Sequence, residues 1–330
     1  GHQLDLQIVL THLLLPFELP IIGGHEGAGV VTKVGPGVSW LEEGDHVVFG
    51  FIPSCGRCPS CSTGHQNLCD LGAGTLTGGM ITDGTHRHHV KDGRAVKMMA
   101  KLGTFSEYAT VAEASLIKVE KDLPLDCVAL VSCGVATGWG SATSRADTQP
   151  GDTVVVVGIG GIGINAVQGA RMAGATTIIA VDVTQEKLDL AKKVGATHVI
   201  NGATSDPVAM VKEICGGVDY AFEALGREST IQQAWGTVGV DGTLILVGLM
   251  KNGATITLDA GPFVNEQSIK GCYFGSANLR KDVPALVKSY LNGELFLDEL
   301  ISERIGLEGL NSAFDRLRAG EGARNVLVFD

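Results

Sequence analysis

The stretch TVVVVGIGGIG, residues 153–163, decides the fold. Thr153 to Val157 is an unbroken run of β-formers, the pattern of a strand buried on both faces. Three spaced glycines follow, and a helical pattern begins after them. In that setting Gly158 makes a tight turn and Gly160 lets backbone approach a pyrophosphate. Gly163 lets helix pack on strand, with Gly161 inside the same loop. Free amides at the helix start hold the phosphate charge. Alone, the glycine spacing would be weak, because many tight turns match it. Asp182 supplies a second mark, ending the next strand nineteen residues after Gly163. A carboxylate there accepts both ribose hydroxyls and repels a 2′-phosphate. No Arg follows it directly, so NAD is favoured over NADP. The competing reading of Asp182 is a strand-end turn residue.

Outward from this stretch, strands and helices alternate. The pattern predicts a helix over Ile159 to Ala173, a strand at TTIIAVD, a helix over Glu186 to Val194 and a strand at THVI. A helix over Pro207 to Cys215, a strand at VDYAFEAL, a helix over Ser229 to Val238 and a strand at TLILVG come next. Such alternation with continuous apolar strands defines an α/β protein with a doubly wound parallel sheet. Before about residue 135 the chain reads instead as short strands, VVTKVG, DHVVFG and SEYATV, punctuated by Gly and Pro. After IKGCYFG come amphipathic helices over Val283 to Leu295 and Leu307 to Leu317, then a final strand, NVLVF. Asp83 to Lys101, with His86, His88 and His89 and few apolar residues, reads as a mobile surface insertion. Its histidines could take a metal adventitiously, but a solvated loop is the preferred reading.

At 330 residues the chain is long enough for two cored domains, and 45% hydrophobic with 18% charged residues excludes disorder. A net charge of −11 with no basic run excludes nucleic acid and anionic membranes as partners. The longest apolar run, Ile8 to Ile22, is broken by Thr11, His12, Pro16, Glu18 and Pro20, so no membrane span is expected. The N-terminus shows no charged lead and no cleavage site, and a cytoplasmic location is expected.

Cys55, Cys58, Cys61 and Cys69 are spaced C-x2-C-x2-C-x7-C in a loop rich in Gly, Pro and Ser. Four thiolates at such spacing suit one tetrahedral zinc. A filled shell leaves no position for substrate, so the site reads as structural, stapling a lobe at about residues 52–72. Disulfides are the alternative, disfavoured by four further cysteines scattered in apolar stretches. An iron–sulfur cluster stays open, since similar spacings serve clusters.

Two further stretches carry chemistry only together. Gly24-His25-Glu26-Gly27 lies in a glycine-flanked turn, and Cys133 precedes Thr137-Gly138-Trp139-Gly140. Singly, His25 reads as a packed turn histidine and Cys133 as a small buried hydrophobe. With GHEGAGVV, GDHVVF, the cysteine lobe, SCGVATGWG, GIGGIG, VDV, FEALGR, IKGCYFG and ARNVLVF, the chain resembles the zinc-dependent medium-chain alcohol dehydrogenases over nearly its whole length. FIPSCGRCPSCSTGHQNLCDLGA, LGTFSEY and GINAVQGARMAGA resemble a narrower, nitroso-dimethylaniline-dependent actinobacterial branch, in which NAD is tightly held and reoxidised by an external redox carrier.

The resemblance implies a mostly β GroES-like catalytic domain over 1–134, a Rossmann-type NAD-binding domain over 135–273 and a return to the catalytic domain over 274–330. It implies two zinc ions per chain and a homodimer or homotetramer, with the IKGCYFG edge as a pairing surface. His25 and Cys133 stand at two of the three protein ligands of a catalytic zinc. Glu26 matches a carboxylate that approaches the metal during ligand exchange, and Asp5 one that orients the ligating His. Thr137 and Phe274 match positions beside the nicotinamide. Lys187 and Arg227 match the adenosine half, Arg324 the pyrophosphate, and Val247 lies in the same cofactor set. The implied reaction is reversible hydride transfer from an alcohol to NAD, giving an aldehyde or ketone, with the substrate pocket lined by Trp139 and part of 83–101.

The opening motif departs from the family. Counting back from Asp5, His2 occupies the Cys column and Leu4 the hydroxyl column. His2 reads either as the third zinc ligand or as part of a frayed terminus. Leu4 cannot relay a proton, so another group or a water chain must. The rival function is therefore an NAD-binding zinc protein with impaired or no alcohol turnover. A zinc-free quinone reductase of similar fold is disfavoured by the cysteine lobe and His25.

Overall fold

The computed structural model describes residues 19–72 and 84–329. The expected roles of His2, Leu4 and Asp5 fall outside those residues. The chain forms two compact units. The first runs through Cys133 and takes up Asn278–Asn292 and everything from Leu297 onward; the second holds Gly134–Ala277 and Gly293–Phe296. Among the described residues no single helix is long and apolar enough to cross a membrane.

In the first unit, β1 (Ile21–Ile22), β2 (Ala28–Val30), β3 (His46–Phe49), β4 (His88–His89), β5 (Ala95–Met98) and β6 (Leu116–Val119) form two small sheets, ordered β1-β5-β4 and β2-β3-β6. β3 is the centre of the second, antiparallel to both neighbours, with Val48 opposite Ala28 on one side and Ile117 on the other. Three sequence expectations miss here, the first because VVTKVG reaches a strand only at Val30, the end of β2. SEYATV forms no strand, while LIKV at Leu116–Val119, not anticipated, does. β-formers need a ladder partner, and only the later segment lies beside β3. Residues 84–101 are not simply a loose insertion: β4 and β5 pair, and β5 pairs with β1 through Ile21 opposite Lys97.

The second unit is built on β7 (Thr153–Val157), β8 (Thr177–Asp182), β9 (His198–Asn201), β10 (Val218–Glu223), β11 (Val238–Leu246) and β12 (Ser268–Gly271). Every pair is parallel, in the order β12-β11-β10-β7-β8-β9. Helices between successive strands bury both sheet faces, which is why Val154 to Val157 are all buried. The strand order reverses between β7 and its neighbours β8 and β10, so the crevice for a ligand lies beyond the C-terminal end of β7. The helix expected from Ile159 starts at Gly163, because residues 159–162 form the turn itself. The helix Leu279–Leu291 starts and ends four residues before the expected one, stopped by Asn292 and by Gly293 at φ +73°. β13 (Ile301–Ile305) and β14 (Arg324–Leu327), with the helix Leu310–Ala319 between them, close the first unit as a parallel pair.

Candidate metal centres and cofactor site

The cysteine lobe packs four sulfurs together. Their ligand atoms all lie within 4.8 Å of one another, and Cys58 Sγ is 3.9 Å from Cys69 Sγ. A tetrahedral zinc with Zn–S bonds of ~2.3 Å sets its sulfurs ~3.8 Å apart, so the donor set fits. None of the eight cysteines is in a disulfide. Backbone amides converge on the sulfurs: Cys58 N–H donates to Cys55 Sγ at 3.3 Å, Cys61 N–H to Cys58 Sγ at 3.5 Å, and Cys55 N–H to Cys69 Sγ at 3.4 Å. The amides of Arg57 and Cys58 pull the Cys55 thiol down to about 6, and those of Asp70 and Cys61 lower Cys58. Burial pushes Cys69 the other way, up to about 12. The lowered thiols are thus those of the less buried pair, Cys55 and Cys58.

The second centre is assembled across the first unit. Gly24 sits at φ +86°, and a Cβ on it would lie 2.4 Å from Thr104 Oγ1 and 2.8 Å from the Phe105 amide. Only glycine allows that approach, which lets Thr104 and Phe105 N–H donate to the carbonyls of Gly24 and Gly23. On the far side of the turn, Gly27 accepts from Phe49 N–H in β3 at 2.9 Å, and its own N–H donates to Ser132 Oγ at 3.2 Å. Ser132 immediately precedes Cys133, so one hydroxyl ties the two stretches together. The outcome is that His25, Glu26 and Cys133 bring their ligand atoms within 4.8 Å of one another. The His25 ring meets Phe51 edge-on, 5.2 Å between centroids. Burial, and then the charge of Arg324, lowers its pKa to about 4, so the imidazole is neutral, the form that binds metal. Imidazole, thiolate and carboxylate are a donor set suited to zinc.

Arg324 emerges from β14 and forms an ion pair with Glu26. No motif around either residue signals this contact. Thr104, Phe105, Phe51 and Ser132 were likewise unforeseen, since turn-clamping residues carry no motif of their own.

The glycines of the loop differ in the room around them. A Cβ at Gly163 would lie 1.9 Å from the Gly158 carbonyl, whereas one at Gly160 meets, among the described residues, no heavy atom within 4 Å beyond its chain neighbours. The open flank is where the phosphate reading needs space. Asp182 accepts from Ile159 N–H at 2.8 Å and from Thr184 N–H at 3.0 Å, so it shapes the loop as well as facing it. Lys187 is half-buried in the first turn of the helix Gln185–Val194. Arg227 is exposed at the N-cap of the helix Glu228–Thr237, and Val247 donates its N–H to the Glu223 carbonyl at 2.9 Å. Thr137 is buried in the helix Gly134–Gly140. Phe274, also buried, opens a left-handed run with Gly275 and Ser276, at φ +55°, +64° and +52°.

Comparison with known proteins adds the family to which the chain belongs. Residues 2–121 match the family described as alcohol dehydrogenase GroES-like domain, and residues 161–292 the family described as zinc-binding dehydrogenase. The chain is 44% identical to an NDMA-dependent alcohol dehydrogenase of Amycolatopsis methanolica, over 98% of this chain and 88% of that one. It superposes with a TM-score of 0.91 and 35% identity on an alcohol dehydrogenase zinc-binding domain protein from Burkholderia ambifaria, covering 96% of this chain and 85% of that one. Benzyl alcohol dehydrogenase from Acinetobacter calcoaceticus gives a TM-score of 0.88 at 31% identity, covering 98% and 88%. A GroES-like domain, a parallel dinucleotide-binding sheet and a His–Glu–Cys cluster define a zinc-binding dehydrogenase. The chain belongs to the family of zinc-dependent medium-chain alcohol dehydrogenases, oxidoreductases acting on CH–OH.

Proposed function

We propose that this protein oxidises an alcohol reversibly to an aldehyde or ketone with NAD, using one catalytic and one structural zinc per chain. The observation that carries the reading is the convergence of His25, Glu26 and Cys133 from distant stretches of sequence. When bound, zinc supplies Lewis acidity at the alcohol oxygen and the nicotinamide supplies the hydride acceptor. The chain's own residues do the rest. His25 and Cys133 present a neutral imidazole and a thiolate, held by the Thr104, Phe105 and Ser132 hydrogen bonds to the turn and its flanks. Arg324 holds the Glu26 carboxylate within reach of the same centre without adding a fixed anionic ligand. Gly160 leaves its flank bare for a pyrophosphate, and Asp182 places a carboxylate where a 2′-phosphate would be repelled, favouring NAD. His2, as third ligand, and Asp5, as its orienting partner for His25, belong to the same proposal. With Leu4 in the hydroxyl column, the alcohol proton leaves by water or another group.

The Amycolatopsis relative's name supports an external redox carrier as partner. A cytoplasmic homo-oligomer is proposed too, pairing through β12, which ends the six-stranded sheet. The test is metal analysis beside turnover. Wild-type protein is expected to hold two zinc ions per chain and to oxidise alcohols with NAD or an artificial acceptor. Cys133→Ala is expected to hold one zinc and lose turnover at least a thousandfold. Two zinc ions retained in the variant, or no alcohol oxidised by the wild type, overturns the reading.

A further inference from the structure

Glu223 ends β10 with its side chain wholly buried, and among the described residues no cation pairs with it. A buried carboxylate without a countercharge is destabilising unless hydrogen bonds satisfy it. Here they do, and all of them come from one loop and the helix after it. Oε1 accepts from Leu225 N–H at 3.0 Å, Gly226 N–H at 2.9 Å and Thr230 Oγ1 at 2.7 Å, while Oε2 shares Gly226 N–H at 3.0 Å. The main-chain carbonyl of the same residue accepts from Val247 N–H at 2.9 Å and Gly248 N–H at 2.8 Å. One residue therefore fixes the loops that follow both β10 and β11. Those loops are interlocked, since a Cβ on Gly248 would lie 2.1 Å from the Gly226 nitrogen and 2.6 Å from Glu223 Oε2.

Both loops lie at the carboxyl ends of parallel strands, where such sheets bind nucleotides, and they carry Arg227 and Val247. We infer that Glu223 is a positioning residue for the dinucleotide: its buried carboxylate and carbonyl together set the two loops that place Arg227 and Val247 on the cofactor. The inference rests on the NAD reading above. Charge explains the choice of residue, because an anionic acceptor takes three donors on one oxygen more strongly than a neutral amide can. A glutamine would also turn an N–H donor toward loop amides that are themselves donors.

The test is titration of each protein with NADH, followed by nicotinamide fluorescence, together with thermal melting, zinc content and steady-state kinetics. Glu223→Gln is expected to raise the Kd for NADH at least tenfold, with kcat at saturating NAD changed less than threefold and zinc content unchanged. Ile231→Val, a buried packing change in the adjoining helix, serves as a comparison: it should lower the melting temperature and leave the Kd unchanged. Should Glu223→Gln not fold, Thr230→Val, which removes a single donor, is expected to raise the Kd about threefold. A merely structural Glu223 would shift melting and leave the Kd of the folded variant at the wild-type value; that result overturns the inference alone. Wild-type protein that fails to bind NADH overturns the NAD reading, and this inference with it.

Discussion

Two glycines of one motif answer to different physical demands, and the difference is measurable. Gly163 has no room for a methyl group, because the Gly158 carbonyl would lie 1.9 Å from it; Gly160 has room, because among the described residues no heavy atom beyond its chain neighbours is within 4 Å. Gly163→Ala is expected to lose about 2–4 kcal/mol of stability through forced backbone movement. Gly160→Ala should melt within about 2 °C of wild type, near the scale of an unburdened surface change, yet bind NADH far more weakly. Calorimetry paired with NADH titration separates the two, and equal loss of stability in both would refute the assignment of Gly160 to the ligand. At this scale the sequence was most legible where a residue type is forced by geometry, as at Gly158 and Gly163, whereas His25 and Cys133 drew their meaning only from the family resemblance. It was least legible for pairings between distant positions. Nothing in the sequence around Arg324 points to Glu26, yet the two form an ion pair. Arg324→Met should therefore leave zinc content intact while changing kcat/KM, since Glu26 would be released from its partner; an unchanged kcat/KM would remove Arg324 from the site.

Elements were read well where burial alone dictates the pattern and poorly where pairing does. Every strand of the six-stranded parallel sheet up to TLILVG was visible, because strands covered on both faces are continuously apolar. In the small sheets of the first unit the same β-formers pointed to SEYATV in place of LIKV, a choice made by which segment reaches β3. Polar contacts between elements left no periodic trace at all. Cys127, in the short helix Leu125–Val128, donates its thiol hydrogen to Asp298 Oδ1 at 3.2 Å, and Tyr290, from the helix Leu279–Leu291, donates to Oδ2 at 2.8 Å. Burial, helped by the hydrogen bond to Asp298, pushes the Cys127 thiol up to about 11. The folded state thus keeps a proton that the unfolded thiol, with an ordinary pKa of about 8.5, would release. This contribution is whole below about pH 8.5 and is lost as pH rises through about 11. Cys127→Ala should accordingly show a shallower alkaline loss of stability, by on the order of 1 kcal/mol between those limits. Denaturant titrations at stepped pH read it out; parallel curves for variant and wild type would show that this thiol carries no linked proton.

For the molecule as a whole, the two candidate metal centres share one unit while the dinucleotide fingerprint lies in the other. That separation makes metal removal a test of the entire scheme. A centre with an open coordination position exchanges with chelator directly, whereas a closed four-thiolate site surrenders its ion only when its loop opens. The lobe's sulfurs each receive backbone or side-chain hydrogen bonds, and Cys61 and Cys69 are buried, so opening it requires local unfolding. Incubation with a zinc chelator at neutral pH should therefore remove about one zinc per chain quickly and abolish turnover, leaving the circular dichroism and NADH affinity close to their starting values. The second zinc should leave slowly, at a rate that denaturant accelerates, and its loss should lower the melting temperature. Cys61→Ser should convert this slow phase into a fast one while the first phase stays as it was. A single phase in which both ions, turnover and NADH binding disappear together would mean that the centres are not independent and that the metal holds the nucleotide-binding sheet as well.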